Sequence, residues 1–240
     1  MSTQTIAMHP SSGAVCLNAD AAGDADILRS LGTIQSLSRN GRIYAEGDET
    51  DAWYRIVSGT ACLYRIMPDG RRQIGVFLLP GDFFGFEAGP THRFAAEALG
   101  DTKVVRYPRN RLERIADKDP DFGRRLRDIA CQRLDAAHDQ LLLLGRKTAL
   151  EKVASFLMEM IRHAPDSAFV HLDMSRGDIG DYLGLTLETV SRMFSQMKHL
   201  GAIALPAANA VRVLDHEMLA SIAGEAVDES TPVLRAVGRA

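Results

Sequence analysis

The pattern of apolar and polar residues changes near Pro120. Between about residues 40 and 107, short runs rich in Val, Ile, Tyr and Phe are separated at hairpin intervals by turn-forming pairs. These pairs are Asn40-Gly41, Ser58-Gly59, Asp69-Gly70 and Pro80-Gly81. Because such runs are typical of strands joined by tight turns, we expect an all-β roll or barrel over residues 25–118.

After Pro120 the apolar residues recur at helical spacing, which predicts a long helix at residues 119–145. One series advances in steps of 4, 3, 4 and 3 residues, the repeat of a coiled-coil seam. Its members are Ala130, Leu134, Ala137, Leu141 and Leu144. Because these side chains are uncharged and some are small, the seam predicts close contact with a second copy of the chain in a homodimer.

A second apolar stripe on the same helix consists of Phe122, Leu126 and Ile129, which could pack on the roll. The alternative to a dimer is that both stripes belong to the core of one chain. Gly145 interrupts the helical pattern, and we interpret it as a hinge before a second domain at residues 146–222. That domain begins with another amphipathic helix, which we expect to end at Pro165.

The sequence RGDIGDYLGLTLETVSR, residues 176–192, predicts two short helices joined by a tight turn. Gly180 stands where the helices would cross, Gly184 stands in the turn, and Val190 stands in the core of the second helix. The preceding Ser175 completes a capping box for the first helix. These features predict a helix-turn-helix.

Residues 201–215 contain two short apolar runs around a loop and predict a β-hairpin, the wing of a winged helix-turn-helix. The predicted fold class is therefore α+β, with a roll, a long dimerisation helix and a C-terminal winged helix-turn-helix. Residues 1–24 are small, polar and aperiodic, and we expect a tail there. We expect another tail at residues 223–240.

On the second helix of the motif, Glu188, Ser191 and Arg192 share the face opposite the apolar stripe. One interpretation is an ordinary solvated ion pair between Glu188 and Arg192. The functional interpretation places this face in the major groove of double-stranded DNA. There Arg192 can donate two hydrogen bonds to guanine, Glu188 can accept one from cytosine, and Ser191 is short enough to approach a base edge.

The charge balance limits how DNA could be held. The chain carries a formal net charge of -3, and residues 174–200 have as many acidic as basic residues. Contacts to the DNA backbone must therefore come from individual hydroxyl and basic groups. The candidates are Thr186, Thr189, Lys198 and Arg212, with Arg146 and Lys147 as further basic residues.

Cysteine usage and hydropathy indicate a cytoplasmic protein. Cys16, Cys62 and Cys131 are widely spaced and contain no C-x-x-C pair, which argues against a disulfide framework and a zinc ribbon. The N-terminal residues lack the pattern of a signal peptide, and no apolar run approaches about 18 residues. We therefore expect neither secretion nor a membrane partner.

A roll, a long helix and a winged helix-turn-helix, in that order, resemble the Crp/Fnr family of bacterial transcription regulators over roughly residues 25–222. The E-x-x-S-R arrangement of Glu188, Ser191 and Arg192 is similar to that of the Fnr and FixK branch. The segments PGDFFGFEAGPTHRFAAEAL and LLLLGRKTALEKVASFL are similar to FixK proteins. The resemblance implies recognition of a TTGAT-N4-ATCAA palindrome, with Arg192 on the guanine.

The resemblance also implies activation of transcription through contact with RNA polymerase. In Fnr-like proteins a polymerase-contacting loop corresponds to the predicted hairpin tip at residues 67–73, so Asp69, Gly70 and Arg71 are candidate activation residues. In FixK-like proteins the regulated genes serve microaerobic respiration, denitrification or nitrogen fixation. The default interpretation of the tip is a solvated turn.

The effector sites of the family are incomplete in this sequence. Fnr holds an iron-sulfur cluster with four thiolates, whereas the tail offers only Cys16 and Val105 stands where the roll cysteine is expected. Of the residues with which Crp binds cyclic AMP, the segment keeps Gly85 and Arg93, but Phe86 and Phe94 replace the glutamate and the serine. We therefore expect no cofactor and neither of these effectors.

The remaining chemistry is sparse. The seven histidines form no H-x-H or H-x-x-x-H pair, which gives little support to a metal site or an enzyme. Cys62 is expected to be buried and inert, whereas Cys131, beside the seam, is a weak candidate for redox pairing between two chains. Two alternatives stay open, namely an effector-gated regulator that senses haem, nitric oxide or another small molecule in the roll, and a metal-binding or enzymatic roll.

Overall fold

The computed structural model describes residue 28 and residues 30–163 and 169–225. The tail predicted at residues 1–24 lies outside the described residues, as does all but the start of the tail predicted at residues 223–240. The described chain forms an N-terminal β-roll, a long helix and a C-terminal helical domain with a small sheet. The predicted α+β architecture is confirmed.

Strands β1 to β8 form two four-stranded antiparallel sheets, in the orders β1-β8-β3-β6 and β2-β7-β4-β5. Three of the predicted turns have glycine at positive φ, with values of 79° at Gly59, 83° at Gly70 and 101° at Gly81, a backbone conformation that favours glycine. The predicted turns therefore lie at strand ends in the structure. In chain order, the strands span Thr33–Leu37, Arg42–Tyr44, Ala52–Ser58, Ala61–Ile66, Arg72–Leu78, Phe83–Phe84, Ala95–Ala98 and Thr102–Pro108.

The helices follow the roll, and the C-terminal domain contains a third sheet, of three strands in the order β10-β11-β9. Helices α1 to α6 span Arg109–Lys118, Pro120–Arg146, Ala149–Arg162, Arg176–Leu183, Leu187–His199 and His216–Ala223. Strands β9 to β11 span Val170–His171, Ile203–Ala207 and Ala210–Val213. The predicted hairpin after the helix-turn-helix is confirmed as β10 and β11, which pair antiparallel.

Helix α2 has two apolar stripes with different surroundings. Phe122, Leu126 and Ile129 are buried against the roll, as expected. In the other stripe, Leu134 is 56% exposed and Leu141 is 66% exposed. The two stripes are therefore not parts of one core, and the alternative that both are buried within a single chain is wrong.

The predicted interruption at Gly145 is wrong, because α2 continues to Arg146. A single glycine costs a helix only about 1 kcal/mol relative to alanine, which the neighbouring helical residues can offset. The chain instead leaves the helix at Lys147, which has an extended backbone, and Thr148 starts α3 with a capping box. The break between the long helix and the C-terminal domain is therefore set by a cap.

The C-terminal domain is built on the buried face of α3. Val153, Phe156, Leu157 and Met160 all lie in its core, as the spacing predicted. Helix α3 ends at Arg162, and Pro165, where we expected its end, lies outside the described residues. The same apolar cluster continues into the roll through Cys62, Ile74, Phe77 and Leu99. The two domains therefore pack against each other within one chain.

Candidate nucleic-acid interface

The helix-turn-helix has the caps that the sequence predicted. The Ser175 hydroxyl accepts a hydrogen bond from the Asp178 backbone N–H at 3.1 Å, and the Asp178 carboxylate accepts one from the Ser175 N–H at 2.8 Å. Gly184 ends α4 in the left-handed conformation, with φ of 65°. The Thr186 hydroxyl accepts from the Thr189 N–H at 3.2 Å and caps α5.

Helices α4 and α5 pack closely at Gly180. A Cβ atom at this position would lie 2.7 Å from the Leu185 carbonyl oxygen, so no larger residue fits without displacing the turn. Val190, Phe194 and Met197 of α5 are buried beneath the motif, and Met193 is partly buried. Helix α5 therefore has a fixed orientation relative to α4.

The opposite face of α5 is open. The structure places Glu188 and Arg192 in exposed positions with Ser191 half-buried between them. The Arg192 guanidinium donates to the Thr189 hydroxyl at 3.4 Å, a long hydrogen bond that a stronger acceptor can replace. The pKa of Glu188 is lowered by a hydrogen bond at its own backbone, by the Thr186 hydroxyl and by the charge of Arg192. The exposed face of α5 thus presents the Arg192 guanidinium as a hydrogen-bond donor and the ionised Glu188 carboxylate as an acceptor.

The candidate backbone contacts surround this face. Thr186 and Thr189 lie at the N-terminus of α5, where the helix dipole favours an anion, and their hydroxyls lie 3.1 Å apart. Lys198 is exposed at the C-terminal end of α5, and Arg212 is exposed on β11 of the hairpin. These four residues therefore border the exposed face of α5 at both of its ends and on the wing.

Lys147 is not available as a backbone contact. Its ammonium group donates to the Ser155 hydroxyl at 2.7 Å and to the Ala223 carbonyl at 2.8 Å, which ties α3 to α6. Arg146 is exposed at the end of α2. The expectation for Lys147 is therefore replaced by a structural role.

Arg176 is a functional candidate that the sequence reasoning counted only as a charge. Its guanidinium lies 3.2 Å from the centre of the Phe194 ring, in a depression also lined by Ser191 and Ser195. Burial lowers the pKa of Arg176 to about 10, and Nη1 has no hydrogen-bond acceptor among the described residues. The signal that could have identified Arg176 was its position at the first residue of α4, in a motif whose second helix carries the aromatic residue Phe194.

The predicted hairpin tip joins β4 to β5. Asp69, Gly70 and Arg71 are all exposed. The Arg71 guanidinium lies 2.7 Å from the Asp69 carboxylate, and the side chain of Arg71 is 83% exposed. The tip therefore presents a turn with a charged pair at its surface.

The segment that corresponds to the family's effector site folds back on itself. The Glu87 carboxylate accepts a hydrogen bond from the Arg93 backbone N–H at 2.6 Å, and the Arg93 side chain is exposed. Phe86 packs on Trp53. His92 is buried and stacks on Tyr44, with ring centres 3.6 Å apart. The Glu87 carboxylate therefore occupies the Arg93 backbone N–H, which is a hydrogen-bond donor of this segment.

Metal-binding and thiol chemistry are limited in the described part of the chain. No group of three or more His, Cys, Asp or Glu residues there is arranged to hold a metal ion. Cys62 is buried as predicted, and burial raises the pKa of its thiol to about 12; Cys131 is exposed. None of the described helices combines the length and the apolar character needed to cross a bilayer.

Comparison with known proteins supports this architecture. A cyclic nucleotide-binding domain family matches residues 34–119, and a Crp-like helix-turn-helix domain family matches residues 151–222. The nitrogen fixation regulation protein FixK of Azorhizobium caulinodans is 40% identical over 205 residues, 83% of each chain. The transcriptional activator protein FnrL of Cereibacter sphaeroides is 36% identical over 228 residues, 92% of each chain.

Among solved structures, FixK2 from Bradyrhizobium japonicum is 44% identical to the chain and superposes with a TM-score of 0.78. The match covers 82% of this chain and 98% of FixK2. Sequence, fold and the arrangement of the helix-turn-helix thus agree. The chain belongs to the Crp/Fnr family of DNA-binding transcription regulators, in which FixK proteins are among its relatives.

Proposed function

We propose that the protein is a homodimeric activator that reads a TTGAT-N4-ATCAA-like palindrome in the cytoplasm without a bound cofactor. The observation that carries this proposal is the exposed face of α5, where Glu188, Ser191 and Arg192 stand together on a helix with fixed orientation. Arg192 reads the guanine of each half-site, and Glu188 and Ser191 contact the neighbouring base edges. Target genes of nitrogen fixation fit the names of the FixK relatives, and microaerobic respiration and denitrification are the other target processes that the resemblance implies.

Phosphate contacts position this helix on the duplex. Thr186 and Thr189 offer hydroxyls at the positive end of α5, and Lys198 and Arg212 offer exposed charges. We add Arg176 to this set, because its half-buried guanidinium lines the depression beside Ser191. A phosphate oxygen in this depression can accept a hydrogen bond from the guanidinium.

The dimer forms along the exposed stripe of α2. Ala130, Leu134, Ala137 and Leu141 are exposed, and Leu144 is half-buried, in the single chain. A contiguous apolar stripe of this kind is typical of a contact with another protein surface. A twofold-related copy covers it with the same residues and places two α5 helices at the spacing of a palindrome.

Regulation by protein amount fits the altered effector segments. The thiols of an iron-sulfur site are missing, and the Glu87 carboxylate fills the donor position that an anionic ligand would need. The alternative is an effector-gated regulator that senses haem, nitric oxide or another small molecule in the roll. His92 favours it, because this buried side chain has no hydrogen bond at either ring nitrogen among the described residues.

The test is binding of the protein, purified in air without added ligand, to a labelled TTGAT-N4-ATCAA duplex. We expect a dissociation constant of about 10⁻⁸ M or lower at physiological salt, which is typical of a specific DNA site. The same duplex with both guanines changed is the control. Binding that requires a haem, nitric oxide or another added molecule would replace our proposal by the effector-gated alternative, and an absorbance spectrum separates the two.

We also predict a separate activation role for the hairpin tip. Arg71→Ala should leave duplex affinity unchanged, because the tip does not contact α5, and should lower transcription by RNA polymerase in vitro about tenfold, the effect of losing roughly 1.4 kcal/mol at an interface. Arg65→Ala, another exposed arginine of the same hairpin, is the matched control. Equal transcription by Arg71→Ala and the unaltered protein would show that the tip is only a solvated turn.

A further inference from the structure

The helix-turn-helix domain packs directly on the second sheet of the roll. The Phe77 ring of β5 lies 4.8 Å from the Tyr182 ring of α4 and 5.9 Å from the Phe156 ring of α3, measured between centres. Ile74 and Cys62 extend the same apolar cluster on the roll side. Apolar burial of this kind favours contact between the domains but does not by itself fix their relative rotation.

Arg72 of β5 adds a directional contact at the edge of this cluster. Its Nη1 donates to the Asp178 carboxylate of α4 at 2.7 Å, and the Asp181 carboxylate lies 3.8 Å away. Its Nη2 donates to the Glu97 carboxylate of β7 at 3.3 Å and to the Cys62 sulfur of β4 at 3.2 Å. One planar guanidinium therefore connects two strands of the roll to one face of α4.

Neighbouring contacts hold the guanidinium in this plane. It lies 4.5 Å above the centre of the Tyr64 ring, and only 24% of its side chain is exposed. The adjacent Gln73 donates to the Asp181 backbone carbonyl at 2.6 Å. Because Arg presents its donors in a fixed fork, these contacts specify a direction as well as a distance.

Arg72 is also the cation shared by three carboxylates. Glu97, Asp178 and Asp181 would repel one another across the domain boundary without it. Burial raises the pKa of Asp178, but hydrogen bonds from Ser175 and Arg72 outweigh this effect and leave the pKa below its usual value. Burial raises the pKa of Asp181, which only the Coulomb attraction of Arg72 opposes. Buried ion pairs of this type are best known for fixing register.

The orientation set at α4 passes to α5. The close approach of Gly180 to the Leu185 carbonyl prevents the two helices from rotating separately. The Arg72 contacts also leave Glu188, Ser191 and Arg192 uncovered, because they lie on α4 and not on α5. The roll can therefore hold the helix that reads DNA without blocking its face.

We propose that Arg72 is a positioning residue for DNA recognition, which orients α5 by tying Asp178 and Asp181 of the helix-turn-helix to Glu97 and Cys62 of the roll. This inference rests on the proposed palindrome recognition, since orientation matters most when two α5 helices must meet two half-sites together. Each base pair added between half-sites rotates one of them by about 34° and moves it by about 3.4 Å. A dimer whose two α5 helices have a fixed orientation therefore binds palindromes with one spacer length.

The first experiment measures duplex binding by full-length Arg72→Met across palindromes with three, four and five central base pairs, and on a single half-site. We expect affinity for the four-base-pair spacer to fall about tenfold, within the range of coupling between sites. The three spacers should then bind alike, and half-site affinity should be unchanged. Arg65→Met is the matched control, because Arg65 lies on the same hairpin as Arg72 and pairs with Glu46 of the roll. This variant should retain the preference for the four-base-pair spacer.

Arg72→Lys is the conservative variant in this series. Lysine keeps a positive charge among the carboxylates but cannot bond to both domains at once, so we expect an intermediate spacer preference. It also provides the test if Arg72→Met loses its helical circular dichroism. A normal spacer profile in the folded Arg72 variants would overturn the inference, whereas failure of the unaltered protein to bind any spacer would count against the proposed function.

The second experiment needs no DNA. Spin labels at Lys103→Cys on the roll and Gln196→Cys on α5, with Cys16→Ser and Cys131→Ser, report the distance between the domains in labelled chains diluted with unlabelled ones. We expect one narrow distance distribution in this background and with Arg65→Met, and a broad one with Arg72→Met. An equally narrow distribution with Arg72→Met would show that the apolar cluster alone sets the orientation.

Discussion

Replacing Arg192 with alanine should remove most of the discrimination of the TTGAT-N4-ATCAA duplex while leaving the protein folded and its oligomeric state unchanged. The side chain is exposed, and its one hydrogen bond among the described residues is the 3.4 Å contact with Thr189, so its removal costs the fold little. A bidentate arginine–guanine contact contributes about 1–3 kcal/mol of discrimination. Two copies in a dimer predict a loss of roughly 30-fold to more than 10,000-fold in specific affinity.

The measurement is a cycle of two proteins and two duplexes. The unaltered protein should lose affinity when both guanines are changed, whereas Arg192→Ala should distinguish the two duplexes only weakly, through Glu188 on the cytosines paired with the guanines, and its remaining binding should be mostly salt-sensitive and nonspecific. Arg71→Ala, which changes an exposed arginine outside the helix-turn-helix, is the matched control and should behave like the unaltered protein on both duplexes. If Arg192→Ala discriminates the guanines as strongly as the unaltered protein, another side chain reads them and our assignment is wrong.

The local features of the reading helix were predictable because they depend on neighbours in sequence. The capping box of Ser175 and Asp178, the cap at Thr186 and the close approach at Gly180 all follow from residue types at short spacing. The same holds for the stripe of α2 that packs on the roll, since helical periodicity alone assigns it to one face. Short-range chemistry therefore predicted most of the fold and the exposed face of α5.

The contacts that escaped prediction join residues far apart in the chain. Arg72 and Asp178 are separated by 106 positions, and no periodicity indicates that they meet. Lys147 was expected to be a surface cation because its partner, the Ala223 carbonyl, is 76 residues away. Arg176 was missed for a related reason, since only packing of α4 on α5 brings its guanidinium over Phe194. Such contacts depend on how elements pack in the folded chain, which sequence pattern does not encode.

Replacing Leu134 with glutamate should convert the dimer into a folded monomer. Leu134 is 56% exposed in the single chain, so a carboxylate there remains solvated and costs the monomer little. Across a twofold seam the same substitution buries two like charges close together, and a buried charge without a partner costs about 3–5 kcal/mol. The dimer dissociation constant should rise by a factor of about 100 or more, which analytical ultracentrifugation measures directly.

Gln132→Glu is the matched control, because Gln132 is exposed on the same helix and lies off the seam. It introduces the same carboxylate two residues away and should leave the dimer intact. Affinity for the full palindrome should fall in Leu134→Glu to that for a single half-site, because monomers occupy half-sites independently. Both variants should show the same thermal unfolding of the isolated chain. A dimer that survives Leu134→Glu with unchanged palindrome affinity would contradict the seam, since two glutamates cannot face each other in a dry contact without cost.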